Sequence, residues 1–389
     1  MPEAHLGALP PVELGENDKF PKDFVFGVSA SSFQIEGDGG DRPRSVWDDF
    51  ADQNDLGDEA RAGIRHYEHY SGDIKYMADA GVKHYRLSLS WPRLMNADLT
   101  PREEGYAFYK NLLTEMKSNG IIPYVTLFHW DLPAFLCERT SHAEDASLGA
   151  VDTTAKDADY GCAGAWLDPG IVETFRMYAE QAFERLGPAV HFWATLNEPK
   201  TVVNLGYGTG AHAPGIQSST APLVAAHNML LAHAAAATTY REKFQKSQGG
   251  AVTLVVNCDW REPQNPDSPG DVEAAKSAME EEMGWFADPL YTGDYPQSMR
   301  DRYGDSLPRF SPEQSAALKG STDYFALNHY SSRYVKSAGL SAGNSYLGRP
   351  VNWVETELAL DGTPIGPDAS SVWLKQVPWG MRKTLIYVK

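Results

Sequence analysis

The sequence predicts a parallel α/β fold of the barrel kind, on three observations. Apolar strand-like stretches alternate with amphipathic helical ones along all 389 residues, the pattern of strand–helix units rather than of a sandwich. No repeat, low-complexity tract or linker divides the chain, so one large domain over 1–389 is expected, with 1–22 as an N-terminal extension. Polar residues also collect just past the ends of the strands, where a barrel opens its mouth.

Six strands are expected, at 24–29, 84–90, 121–128, 191–197, 252–257 and 323–328. Between them the helices announce themselves by period. Tyr67, Tyr70, Ile74 and Met77 form one apolar stripe, and Tyr106, Tyr109, Leu113 and Met116 another. Each run ends near a glycine, Gly81 or Gly120, suited to the left-handed turn that stops a helix. From Asp168 to Gly187, Asp168 is the expected cap and Pro169 suits the first turn. Ile171, Phe175, Tyr178, Ala182 and Leu186 share one face there. The stretches 96–104, 137–165 and 337–367 are rich in Gly, Ser, Asp and Pro and are expected to be loops.

Composition narrows the partner. Hydrophobic residues make up 42% of the chain, enough for a core. A formal charge of −18 opposes nucleic acid and anionic membrane surfaces. Aromatics reach 11%, with 10 Trp, a supply that stacking on sugar faces would use. Cys137, Cys162 and Cys258 lack metal-ligand spacing and are expected to be structural thiols. Residues 1–22 contain no apolar run, so the expected location is the cytoplasm, with no membrane span.

The polar strand ends are Gln34 and Glu36; Arg86 and Ser90; His129, Trp130 and Asp131; Asn197 and Glu198; Asn328 and Tyr330. Such a set, rich in bidentate hydrogen-bonding groups and poor in phosphate cradles, suits a polyhydroxylated small molecule.

Six strings, in order, resemble glycoside hydrolase family 1. They are FVFGVSASSFQIEG (24–37), HYRLSLSWPR (84–93), VTLFHWDLP (125–133), TLNEP (195–199), GWFADPLYTGDYP (284–296) and DYFALNHY (323–330). A lone Asn-Glu-Pro means little, but six collinear matches cover nearly the whole chain. The resemblance implies a TIM (β/α)8-type barrel and retaining hydrolysis of β-linked glycosides, with a β-glycoside or oligosaccharide as the small-molecule partner and no metal or organic cofactor. Glu198 corresponds to the general acid/base and Asn197 to the residue that meets the sugar 2-hydroxyl. Gln34, His129 and Trp130 correspond to glycone contacts, joined by Tyr330. Arg86, Asn328 and Tyr330 correspond to the support of the nucleophile. Lys200 falls near the leaving-group site of the family, while Trp285 and Trp379 are expected to be structural.

The family's nucleophile string, Ile/Val-Thr-Glu-Asn-Gly, does not occur in this sequence, which closes on VPWGMRKTLIYVK (377–389). The expectation is a C-terminally incomplete barrel of about six of eight strand–helix units. It would carry open strand edges, and Arg86 would lack its anion. Glu355 and Glu357, in a loop, are the remaining carboxylates that could reach the mouth. Three readings stay open: a truncated glycosidase, a sugar-binding protein without hydrolysis, and an unfolded or aggregating relic with exposed strand edges.

Overall fold

The computed structural model describes residues 19–57, 59–138, 162, 165–338 and 345–389. Most of the expected 137–165 loop, residues 1–18 of the N-terminal extension and residues 339–344 lie outside the described residues.

Eleven strands occur among the described residues. They are β1 (Val28–Ser29), β2 (His84–Ser88), β3 (Ile122–Phe128), β4 (Phe192–Asn197), β5 (Ala251–Asn257), β6 (Trp260–Pro263), β7 (Ala326–Asn328), β8 (Ser332–Ser337), β9 (Ser345–Tyr346), β10 (Arg349–Pro350) and β11 (Trp353–Thr356). The main sheet has the order β1-β2-β3-β4-β5-β7, every neighbour parallel, a partial barrel of six strands. β3 is buried along nearly its whole length, as a strand covered on both faces must be. The helices His66–Asp79, Glu103–Ser118, Ile171–Leu186 and Ala221–Tyr240 supply the outer layer.

Local chemistry accounts for the tight helix-to-strand turns. Gly81 and Gly120 have φ of 83° and 71°. The N–H groups of Val82 and Ile121 reach back to the carbonyls of Met77 and Met116, both at 2.9 Å. This satisfies the last turn of each helix and releases the chain directly into β2 and β3. In Ile171–Leu186 the expected face is buried throughout. Its cap is Gly170, however, and Asp168 instead accepts from the Gly170 N–H at 3.1 Å in a turn before the helix.

Both ends of the main sheet are paired on one side only among the described residues. The first strand is accordingly shorter than expected: Val28 and Ser29 register with Tyr85 and Arg86, while 24–27 form no ladder. Phe20, Phe24 and Phe26 gather their rings at 4.3–5.0 Å yet stay exposed. Between the two edges lies a trough of about 580 Å³ lined by Phe24, Tyr124, Phe192, Tyr324 and Leu327.

Two expectations are corrected. The 337–367 stretch contains β9 to β11, because Trp353 of β11 packs with Val335 and Ala274 in a small second core and the strand pairs antiparallel with β8. β8 in turn runs parallel to β6, giving a side sheet in the order β11-β8-β6. Cys137 and Cys162 are a disulfide rather than thiols, with only Cys258 free among the described residues. Three cysteines without patterned spacing give no pairing from sequence.

Candidate active site

The strand ends converge as expected. A hollow of about 580 Å³ at the C-terminal edge of the main sheet is lined by Gln34, Arg86, His129, Trp130, Asn197, Glu198, Asn328 and Tyr330. They come from five strand ends or the loops beyond them, so parallel strands bring residues 296 positions apart, Gln34 and Tyr330, to one mouth.

Asn197 is the hub. The ladder between β4 and β5 shifts register between Ala194 and Asn197, and such an irregularity re-aims the side chains beyond it. The Asn197 side-chain oxygen accepts from Arg86 at 2.5 Å and from Asn328 at 3.2 Å. Its amide nitrogen meets His129 Nε2 at 3.1 Å, and its backbone carbonyl accepts from Trp130 Nε1 at 2.9 Å. An amide N–H donating to Nε2 requires a neutral imidazole, and burial together with the Arg86 charge lowers His129 to about 3.

Glu198 follows in the left-handed region, φ 48°, ψ 55°, at the entrance of the short helix Pro199–Thr201. The Glu198 N–H is held by the Val255 carbonyl at 2.8 Å. A non-glycine residue there is strained by roughly 1–2 kcal/mol, and the surroundings must over-determine it. Its carboxylate is buried and accepts from Asn328 and, at 3.1 Å, from the Tyr330 hydroxyl. Burial, then the Glu198 charge, pushes the Tyr330 phenol up to about 12, so it is a hydrogen-bond donor at neutral pH. Trp130 also has positive φ, at 78°.

Arg86 donates to Thr126 at 3.1 Å and to Asn197, both neutral, and forms no ion pair among the described residues. Burial lowers its pKa, opposed by the nearby Glu198. Among the described residues lining the hollow, Glu198 is the sole carboxylate.

Several expected mouth residues are elsewhere. Glu36 turns away into a buried pair with Arg93, 2.7 Å, and accepts from Tyr109, 2.6 Å. Asp131 is buried beneath Ser32, 2.9 Å, and Ser90 is buried with its N–H on Tyr109. Lys200 is buried against Glu282 and does not line the hollow. Glu355 pairs with Arg261, and Glu357 with Arg333 and Lys375, so neither faces Glu198. Trp285 is fully buried; Trp379 is partly exposed beneath the Lys383 ammonium.

The sequence reading missed Phe33, Trp47 and Leu56, which add an apolar wall. Trp47 stacks 6.5 Å from Trp130 at 19°, and His212 lies 5.3 and 5.6 Å from the two rings. A signal existed: Ser45 and Asp48 form a capping box that starts the helix Val46–Gln53 and presents Trp47 in its first turn. Among the described residues no three His, Cys, Asp or Glu side chains form a metal-ligating group, and no helix is long and apolar enough to cross a membrane.

The model of glycosyl hydrolase family 1 matches residues 16–156 and 157–389. β-Glucosidase 4 of Oryza sativa subsp. japonica is 40% identical over 379 residues, covering 95% of this chain and 73% of that protein. β-Glucosidase 42 of Arabidopsis thaliana is 40% identical over 394 residues, covering 98% and 74%. The crystal structure of a β-glucosidase from Trichoderma harzianum superposes with a TM-score of 0.85 at 34% identity, covering 96% of this chain and 76% of that one.

Proposed function

Because this chain belongs to glycosyl hydrolase family 1, we propose that its hollow binds the glycone of a β-linked glycoside and that Glu198 acts as general acid/base in a retaining hydrolysis. One observation carries the reading: Gln34, His129, Trp130, Asn197 and Glu198 meet around a single hollow of sugar size. The relatives named above being β-glucosidases supports a β-glucoside as substrate.

Each residue then has a role its geometry suits. Glu198 protonates the departing glycosidic oxygen and afterwards draws the proton from water. Asn328 and Tyr330 hold one carboxylate oxygen, leaving the other toward the ligand. Asn197, pinned by Arg86, Asn328 and His129, presents its amide to a sugar hydroxyl with little freedom left to lose. Neutral His129 and the exposed Gln34 supply further hydrogen bonds, and the rings of Trp130 and Trp47 supply apolar surface.

A retaining reaction also needs a second carboxyl about 5–5.5 Å away. The hollow's single carboxylate among the described residues supports a second reading, saccharide binding without turnover. Hydrolysis of 4-nitrophenyl β-D-glucoside, paired with calorimetric titration of methyl β-D-glucoside, separates the two. Turnover abolished by Glu198→Gln supports hydrolysis. Binding without turnover, lost in Gln34→Ala and His129→Ala, supports the second reading. Turnover that survives Glu198→Gln contradicts the acid/base role, and absence of both turnover and binding removes both readings.

A further inference from the structure

The strained turn at Glu198 runs through Pro199 into Lys200, whose side chain points behind the hollow. The Lys200 ammonium is buried, paired with Glu282 and 5.9 Å from the Tyr346 ring centroid. Arg261, also buried, holds the same carboxylate at 3.2 Å, and its third nitrogen donates to the Asp259 carbonyl at 3.0 Å. The Asp259 carboxylate then accepts from the N–H groups of Tyr330, 3.0 Å, and Ser331, 2.8 Å. The Tyr330 hydroxyl returns to Glu198 at 3.1 Å. The contacts close a ring: Glu198, Lys200, Glu282, Arg261, Asp259, Tyr330.

Such a ring is stiff for a physical reason. The buried Lys200 ammonium cannot release Glu282 without being left uncompensated, and Arg261 is held by both Glu282 and Glu355, so the pairs at its back resist separation far more than a surface bridge would. Both chain segments that place the acid and its hydroxyl donor are tied to that back. The left-handed Glu198 is thereby held from the residue two positions on, and Tyr330 from its own N–H.

We propose that Lys200 and Glu282 are positioning residues: without touching the sugar, they set where the Glu198 carboxylate stands relative to the Tyr330 hydroxyl and to the group beyond the anomeric carbon. This rests on Glu198 being the group that faces the departing oxygen. A purely structural ion cluster would affect all ligands alike, whereas a positioning one acts on the charge at Glu198.

Two stable C-glycosides separate these. β-D-Glucopyranosylmethylamine carries an ammonium beyond the anomeric carbon, and β-D-glucopyranosylmethanol carries a neutral hydroxyl there. Calorimetry on the full chain gives the ratio of their Kd values. The wild type is expected to favour the amine, by about tenfold or more for a desolvated charge pair, and Glu198→Gln to abolish that preference. Lys200→Met and Glu282→Gln are each expected to reduce the preference by about three- to tenfold, with Kd for the neutral sugar within about twofold of wild type, and Lys200→Arg to restore most of it. An unchanged ratio in Glu282→Gln, or proportional weakening of both ligands, overturns the proposal. Should Lys200→Met not fold, Glu282→Gln and Lys200→Arg decide by the same criterion. A preference that survives Glu198→Gln overturns the acid/base reading instead.

Discussion

Glu36 offers the sharpest test of how the fold supports this mouth. Its two carboxylate oxygens are divided: one accepts from Arg93 Nε at 2.7 Å, the other from the Tyr109 hydroxyl at 2.6 Å. The side chains of Glu36 and Arg93 are 4% and 2% exposed, so water cannot replace a lost partner. Arg93 also donates to the Gly37 carbonyl at 2.8 Å and lies 4.2 Å from the Tyr67 ring centroid, which softens its loss. Glu36→Gln removes the negative charge and turns an amide N–H₂ toward one of two donors. Breaking a buried pair by removing one partner costs about 3–5 kcal/mol, and the remaining carbonyl and ring place this case near 3. For a chain with a stability of about 5–15 kcal/mol that is a large fraction. Urea unfolding followed by tryptophan fluorescence, with Arg93→Met and the double variant completing a cycle, measures it. The double variant should cost less than the sum by about 2 kcal/mol, since neither charge is then left alone. A single-variant cost under about 1 kcal/mol, or strict additivity, refutes the reasoning.

Three further outcomes follow from named groups. Burial, against the Ser32 hydrogen bond and aided by the Glu36 charge, raises Asp131 to about 8. The folded chain therefore binds this proton more tightly than the unfolded one, so its contribution to stability is full below about pH 4 and is lost as pH rises toward 8. Asp131→Asn should remove that decline, gaining up to about 5 kcal/mol over wild type by pH 8 in denaturation curves taken across the window; an identical slope in both proteins refutes it. Reducing Cys137–Cys162, which are 25 residues apart, should lower stability by about 3.5 kcal/mol from loop entropy, read as the drop in urea midpoint on adding reductant to wild type but not to a Cys137→Ser/Cys162→Ser double variant. Arg86→Met should raise the melting temperature, corresponding to about 1–2 kcal/mol, because Arg86 is a mostly buried cation on neutral partners and Asn197 keeps its bond from Asn328; a lower melting temperature overturns this.

The parts of the molecule that were legible in the sequence are those set by period and by strand direction. Tyr106, Tyr109, Leu113 and Met116 are all buried because a 3.6-residue stripe has one place to go. Gln34, His129, Asn197 and Tyr330 share a hollow because parallel strands all end on the same rim. What stayed hidden depends on which way one polar side chain turns among near neighbours. Gln34 and Glu36 are two residues apart, yet a single helical turn, Ser32–Ile35, sends the first to the hollow and the second to Arg93. Lys200 could be judged only by knowing Glu282, 82 positions away, and nothing local in either residue announces the pair.

Glu36 and Lys200 share a physical lesson about the mouth. Its visible face consists of hydrogen-bonding groups outside any ion pair among the described residues, while the layer behind holds the paired ions: Glu36 with Arg93, and Lys200 and Arg261 with Glu282. Ion pairs are costly to bury but costlier to break once buried, so they serve rigidity best where no ligand must displace them. Hydrogen-bonding groups serve recognition best where a ligand can exchange places with water. Arg86 is the exception, a cation on the ligand side without an anion among the described residues. The same logic that explains the layer behind therefore marks Arg86 as the residue whose charge an incoming ligand or carboxylate would most compensate.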